Sequence, residues 1–169
     1  MNIKHFPAVF SQEHHAYIVA RTVSSAGWYY GGHSNDSTGY RFWYMDLAND
    51  VVFSKDLMLR ICELTDENWR LDRVYANGQT HGLSGGMHQD TMGSDGSWFT
   101  FLYYVGPTWQ SDWGGATVFH DRDTGAIQLI YPNPNTAVLF DAAIWHQGQE
   151  PTRQCQELRV SVAWKLQKV

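Results

Sequence analysis

From Trp69 to its end the chain is a succession of short runs rich in Val, Ile, Tyr, Phe and Trp, separated by turn residues, and no helical period is sustained across them. Such side chains fit a pleated, half-buried surface, and strands this short are stable only when several pair and cover one another. The runs fall at 69–76, ending on Asn77-Gly78; 98–105; 116–119; 126–131, ending on Pro132-Asn133-Pro134-Asn135; 136–140; 143–147; and 158–166. Two helical patterns precede them. Ser11 is an N-cap for a helix over 12–25, with Ala16, Val19, Ala20 and Val23 at helical spacing and Gly27 as its stop. A second helix is predicted from Ser54 to about Thr65, with Leu57, Ile61 and Leu64 on one face, and the polar, glycine-rich stretch from Gly31 to Gly39 between the two reads as a loop. Helices followed by many strands give an α+β, mainly β class, with helices laid against a β-sandwich or jelly roll. The expected organisation is one domain over 1–169, in which 1–68 is helical support and loop and 69–166 is the sheet core.

Length and composition agree with that class. A chain of 169 residues can bury about two thirds of its unfolded surface in one core. Nine Tyr, eight Trp and fifteen Gly favour strands and tight turns over a helical bundle. A net charge of −5 argues against a broad nucleic-acid-binding surface and names no partner. Two cysteines, Cys62 and Cys155, are too few for a disulfide framework and do not form a Cys-x-x-Cys pair. The first twenty residues lack a signal-peptide core, and no stretch approaches the eighteen apolar residues of a membrane span. The expectation is a soluble cytoplasmic protein with no membrane association, and its oligomeric state is not legible.

The chemistry centres on His88-Gln89-Asp90. On an extended strand, residues two apart point to the same side, which makes His88 and Asp90 a candidate pair of metal ligands. An imidazole and a carboxylate suit a divalent first-row metal, and a second histidine would complete a 2-His-1-carboxylate triad. Alone the pair is a weak signal in a chain with eight histidines. His146 ends the apolar run Ala137–Trp145, where a lone histidine is more often a packed core residue. Thirteen residues later, Arg159 opens Arg159-Val160-Ser161-Val162-Ala163-Trp164-Lys165. On a strand, Arg159, Ser161 and Ala163 share one face, and a guanidinium among small residues on an inner face needs an anion. The plainer reading is a surface salt bridge.

Taken in order, His88-x-Asp90, Trp113-Gly114-Gly115-Ala116-Thr117-Val118-Phe119, His146 and Arg159 resemble the catalytic half of Fe(II)/2-oxoglutarate-dependent dioxygenases, above all the prolyl 4-hydroxylase-like branch, over about residues 69 to 166. The resemblance implies a double-stranded β-helix, a cupin-like jelly roll preceded by packing helices. It implies that His88, Asp90 and His146 hold Fe(II), and that Arg159 binds the distal carboxylate of 2-oxoglutarate. Tyr104, in Thr100–Val105, matches a tyrosine that donates to that carboxylate, and Tyr75 matches a position lining the cosubstrate pocket. Arg153 competes with Arg159, which lies farther from His146 than is usual in prolyl hydroxylases. Ala116 and the Pro132–Asn135 turn also depart from the family pattern and put the substrate in doubt.

The implied cofactors are Fe(II), 2-oxoglutarate and O2, with ascorbate in support. The implied reaction couples loss of CO2 from 2-oxoglutarate, giving succinate, to hydroxylation of an unactivated C–H bond. Its partner is a peptide or small-molecule substrate: peptidyl proline is favoured by analogy, and a free amino acid, another protein side chain or a nucleobase stays open. Two rivals come from other classes. A non-catalytic jelly-roll binding module explains the strands and leaves the His, Asp, His and Arg set as coincidence, while a zinc hydrolase needs a general base that the sequence does not nominate.

Overall fold

The computed structural model describes residues 1–33, 39–91 and 95–169. Its strands, all antiparallel, form two sheets. In the larger the order is β1 (Ile3–Phe6), β8 (Thr136–Asp141), β5 (Trp98–Val105), β10 (Arg159–Lys168), β4 (Trp69–Gln79), β3 (Phe42–Asp46) and β2 (Tyr29–Gly32). In the smaller it is β7 (Ile127–Ile130), β6 (Thr117–His120) and β9 (Trp145–Gly148). Strand β10 lies between β4 and β5 and is buried along almost its whole length.

The period-two alternation of the central strands sorts their side chains into two layers. Val160, Val162, Trp164 and Leu166 of β10, with Phe101, Tyr103 and Val105 of β5, pack with Ile18 of α1 (Gln12–Thr22) and with Leu57 and Ile61 of α2 (Leu57–Thr65). Leu102, Tyr104, Ala163, Val138 and Phe140 form a second cluster with Phe119 and Ile130 of the smaller sheet. The central strands of the larger sheet are thus covered on both faces, by helices on one and by the smaller sheet on the other.

Helix α1 begins where its sequence says it should: the Ser11 hydroxyl accepts from the His14 N–H at 3.2 Å. It ends at Thr22, short of the expected residue 25, because the Trp28 indole N–H takes the Thr22 carbonyl at 2.8 Å. Helix α2 is entered through a π-helical turn, Val52–Asp56, and closes on Asp66 in the left-handed conformation. Residues 1–68, read from sequence as helices and loop, also contribute β1, β2 and β3. Gly31 and Gly32 are therefore in a strand, and residues 34–38 of the expected loop lie outside the described residues.

Asn77-Gly78 is no turn. Both residues continue β4, with Asn77 opposite Ser161 and Tyr44 and Gly78 opposite Val160 and Trp43. A Cβ on Gly78 would stand 3.0 Å from Leu158 Cδ2 and 3.1 Å from Trp28 Cζ3, so the glycine serves close packing.

Trp164 is the largest fully buried side chain. Its indole N–H donates to the Phe53 carbonyl at 2.9 Å, and its ring stacks on Phe53 and meets Phe101 edge-on, both with centroids 6.1 Å away. Trp164→Ala should cost about 3 to 5 kcal/mol in urea unfolding, and Trp164→Phe much less, because it keeps most of the packed volume.

Candidate active site

The segment carrying His88 and Asp90 is not a regular strand. It runs antiparallel to β9 and the turn before it, held by separate backbone bonds: Gly85 N–H to Gly148 O at 2.9 Å, His88 and His146 exchanging both bonds at 2.9 Å, and Asp90 N–H to Ala142 O at 2.8 Å. Alternation survives in this broken ladder, so His88 and Asp90 still face the same side. The same exchange of backbone bonds sets the two histidines side by side, with ring centroids 4.4 Å apart. The stretch that follows β4 is likewise tied down by Gln79, whose amide donates to Leu83 O at 3.1 Å and Gly148 O at 2.9 Å.

His88, Asp90 and His146 each offer one ligand atom, and these atoms lie within 4.8 Å of one another. Each imidazole is fixed in one tautomer: Nδ1–H of His88 donates to Gly86 O and that of His146 to Ile144 O, both at 2.8 Å. The two Nε2 lone pairs are left facing the Asp90 carboxylate, 3.4 Å from Oδ1 for His88 and 3.6 Å from Oδ2 for His146. Phe140 edge-on at 4.7 Å and Phe119 stacked at 6.0 Å wall in the His146 ring. Burial and the neighbouring cations push the His146 pKa down to about 4 against the pull of Asp90, so the ring is neutral and able to bind a cation. Burial pushes the Asp90 carboxyl up, but Lys165, His146 and His88 more than offset it and hold it well below the usual carboxylate range. Two imidazoles and one carboxylate, each fixed by a further hydrogen bond, fit a divalent first-row metal.

Arg159 is fully buried, and all three of its hydrogen-bond partners are neutral oxygens: Nε donates to Gly115 O at 2.5 Å, Nη1 to Gln79 Oε1 at 2.7 Å and Nη2 to Thr117 Oγ1 at 3.0 Å. One N–H on each terminal nitrogen is left, the fork that a carboxylate takes. Burial lowers its pKa to about 10, so it remains a cation at neutral pH. Tyr104 is buried behind it and donates to Thr117 Oγ1 at 2.9 Å, and its phenol is pushed up to about 12 by burial. Thr117 thus stands between Tyr104 and the cavity. Tyr75 lines the cavity and stacks on Tyr44 with centroids 5.2 Å apart. Arg153, the competitor of Arg159, is exposed on a turn and is absent from the cavity wall.

One cavity contains the three candidate ligands, Tyr75 and Arg159, together with residues the sequence reading did not select: Gln79, Thr100, Thr117, Asn77 and Lys165. Lys165 extends the period-two face of Arg159, Ser161 and Ala163 by one step. It is buried, its ammonium bonds Asp90 Oδ2 and reaches Thr100 Oγ1 at 3.1 Å, and Thr100 donates to the same Oδ2 at 2.5 Å. Burial alone lowers the Lys165 pKa, but the Asp90 charge more than offsets it and the net shift is upward.

The model of the 2OG-Fe(II) oxygenase superfamily matches residues 73–164, more than half of the chain. The chain belongs to this family. It is accordingly a dioxygenase that works with Fe(II), 2-oxoglutarate and O2. Solved structures share its fold, the jelly roll of these oxygenases. An oxidoreductase of the 2OG-Fe(II) oxygenase family from Burkholderia pseudomallei is similar at TM-score 0.73 and 13% identity, over 98% of this chain and 84% of that one. A prolyl hydroxylase from Trichoplax adhaerens, in complex with a hypoxia inducible factor peptide fragment, gives 0.71 and 16%, over 98% and 83%. HygX from Streptomyces hygroscopicus, with nickel and 2-oxoglutarate bound, gives 0.71 and 14%, over 99% and 83%. No curated protein sequence matches the chain significantly. No helix among the described residues is long and apolar enough to cross a membrane.

The buried histidine makes the metal-free fold pH-sensitive. His146 binds a proton below about 6.5 when unfolded and only below about 4 when folded, so the unfolded state holds more protons between these values and stability falls as pH drops through that window. The metal-free oxygenase should lose up to ~3 kcal/mol between pH 7 and pH 4 from this group. Urea midpoints across the range measure it, and His146→Gln should flatten the profile.

Proposed function

We propose that this oxygenase hydroxylates an unactivated C–H bond of a peptide or small molecule, with peptidyl proline favoured by likeness to prolyl hydroxylases, and that His88, Asp90 and His146 hold its iron. The donor set carries the reading: two Nε2 lone pairs and a carboxylate converge, and each imidazole proton is tied to a backbone carbonyl. Three protein ligands leave the remaining positions of the ion to cosubstrate and O2. When bound, iron and 2-oxoglutarate supply the oxidising chemistry. The chain itself orients these groups and keeps water from them. Ascorbate is proposed as the supporting reductant, residues 1–169 act as one domain, and the two free cysteines accord with a cytoplasmic setting.

In this reading Arg159 receives the distal carboxylate of 2-oxoglutarate. Thr117, which Arg159 touches, is opposite Gly148, while Phe119 is opposite His146. The guanidinium is therefore one two-residue step, ~7 Å, along the smaller sheet from the ligand ring, a gap a five-carbon dicarboxylate bridges. Thr117 keeps its own O–H to donate, Tyr104 fixes Thr117 from behind, and Tyr75 forms part of the wall.

His88→Ala, Asp90→Ala and His146→Ala should each abolish Fe(II) binding and succinate formation while the far-UV circular dichroism stays near that of the parent. A variant that still makes succinate at the parental rate removes its residue from the triad. Arg159→Ala should raise the dissociation constant for 2-oxoglutarate by about two orders of magnitude with little change in metal affinity, and Arg159→Lys should fall between. Arg153→Ala should leave the constant unchanged. Calorimetric titration of the metal-loaded variants reads both.

A further inference from the structure

Arg159 and Lys165 lie on the same face of β10, their backbones six residues and so roughly 20 Å apart, and their charged ends fall on opposite sides of the proposed ligands: the guanidinium on Thr117 and the ammonium on Asp90. One small dicarboxylate cannot engage both. If Arg159 serves the cosubstrate, Lys165 needs another explanation. Its ammonium is buried against Asp90 and Thr100, and Asp90 is also the carboxylate proposed for the metal. A single negative charge cannot neutralise a divalent ion and an ammonium together, so cationic charge is left at this end of the cavity once metal is held. Arg73 is opposite Lys165 on β4 and adds to it. The two cations flank the Tyr75 ring, at 5.9 Å for the Arg73 guanidinium and 5.8 Å for the Lys165 ammonium. Asp72, 3.5 Å from Arg73, is half-exposed and screens that arginine only in part. Among the described residues that line the cavity Asp90 is the one carboxylate.

We infer that the primary substrate carries a carboxylate, received by Lys165 with Arg73 behind it. This rests on the dioxygenase reading and narrows it: the group presented to the oxidant belongs to a free amino acid or to an acidic peptide, and a neutral prolyl segment leaves the Lys165 charge unmet. The competing role for Lys165 is to position Asp90 alone.

Calorimetric titration of the protein loaded with Mn(II) and 2-oxoglutarate separates them. The probes are the free L-amino acids against their C-terminal amides, and short peptides containing Asp or Glu against the same peptides containing Asn or Gln. At least one acid should bind about tenfold or more tightly than its amide, Lys165→Met should level that pair, and Lys165→Arg should retain the preference. The arm in which the preference falls identifies the source of the carboxylate. If no acid outbinds its amide, or if metal-loaded Lys165→Met keeps the preference, the inference is overturned and Lys165 is a positioning residue. Failure of the parent protein to take up Mn(II) and 2-oxoglutarate overturns the dioxygenase reading and this inference together, whereas a loaded protein indifferent to carboxylates overturns this inference alone.

Discussion

The two-residue period of β10 is the constraint on which the rest depends. Flanked by β4 and β5 and buried from Arg159 to Leu166, the strand has no solvent-facing side over that length, so each of these residues must suit one of two interiors. Val160, Val162, Trp164 and Leu166 bind the helical layer to the sheet by apolar burial. Arg159, Ser161, Ala163 and Lys165 line the cavity. A one-residue slip would put two cations into the apolar layer and Trp164 into the active site. Such a slip is so costly that the register of the whole sheet is fixed with it.

That register reaches the chemistry through backbone bonds, not through the flexible ends of side chains. The His88–His146 exchange ties the irregular segment 85–90 to β9, and β9 is tied in turn to β6, which supplies Thr117 and Phe119. Ligand positions set this way are inherited from the fold. The imidazole tautomers are set by carbonyls two residues upstream in each case, Gly86 and Ile144, so each histidine carries its own orienting acceptor on the same stretch of chain.

What was legible in the sequence follows from range. The strands from Trp98 onward, the Ser11 cap and the ordered His, Asp, His and Arg set depend on local pattern, and the structure places His88, Asp90 and His146 within 4.8 Å of one another. Strands β1 and β2 were not legible, because Lys4-His5 and Gly31-Gly32 break the local signal and pairing with β8 and β3 supplies the strand. Asn77-Gly78 looked like a turn for the same reason: its conformation is decided by β3 and β10 on either side. Phe42–Asp46, an aromatic run, carried a strand signal that the surrounding helical patterns obscured. Gln79, Thr100 and Thr117 were illegible at any range short of the fold, since a polar residue is a site residue only when an unlike partner is delivered to it.

Lys165 shows how charge can be hidden by position. Near the end of a strand a lysine is ordinarily a solvated terminus, and the alternation that turns Arg159, Ser161 and Ala163 inward carries no sign of a partner for it. One further step puts an ammonium beside Asp90, which arrives from a segment 75 residues away. The two cations of this strand then meet different fates. Arg159 is held by neutral oxygens that fix its plane and leave its charge for a ligand. Lys165 is held by a carboxylate that a metal would share. An ion pair in a buried site is worth least when a third charge competes for one partner. If Asp90 ligates the metal as proposed, that binding loosens Lys165 from it and couples occupation of the site to the appearance of a cation for the next ligand. Order of binding would then be built into the strand itself, with metal and cosubstrate preparing the end of the cavity at which the substrate is received.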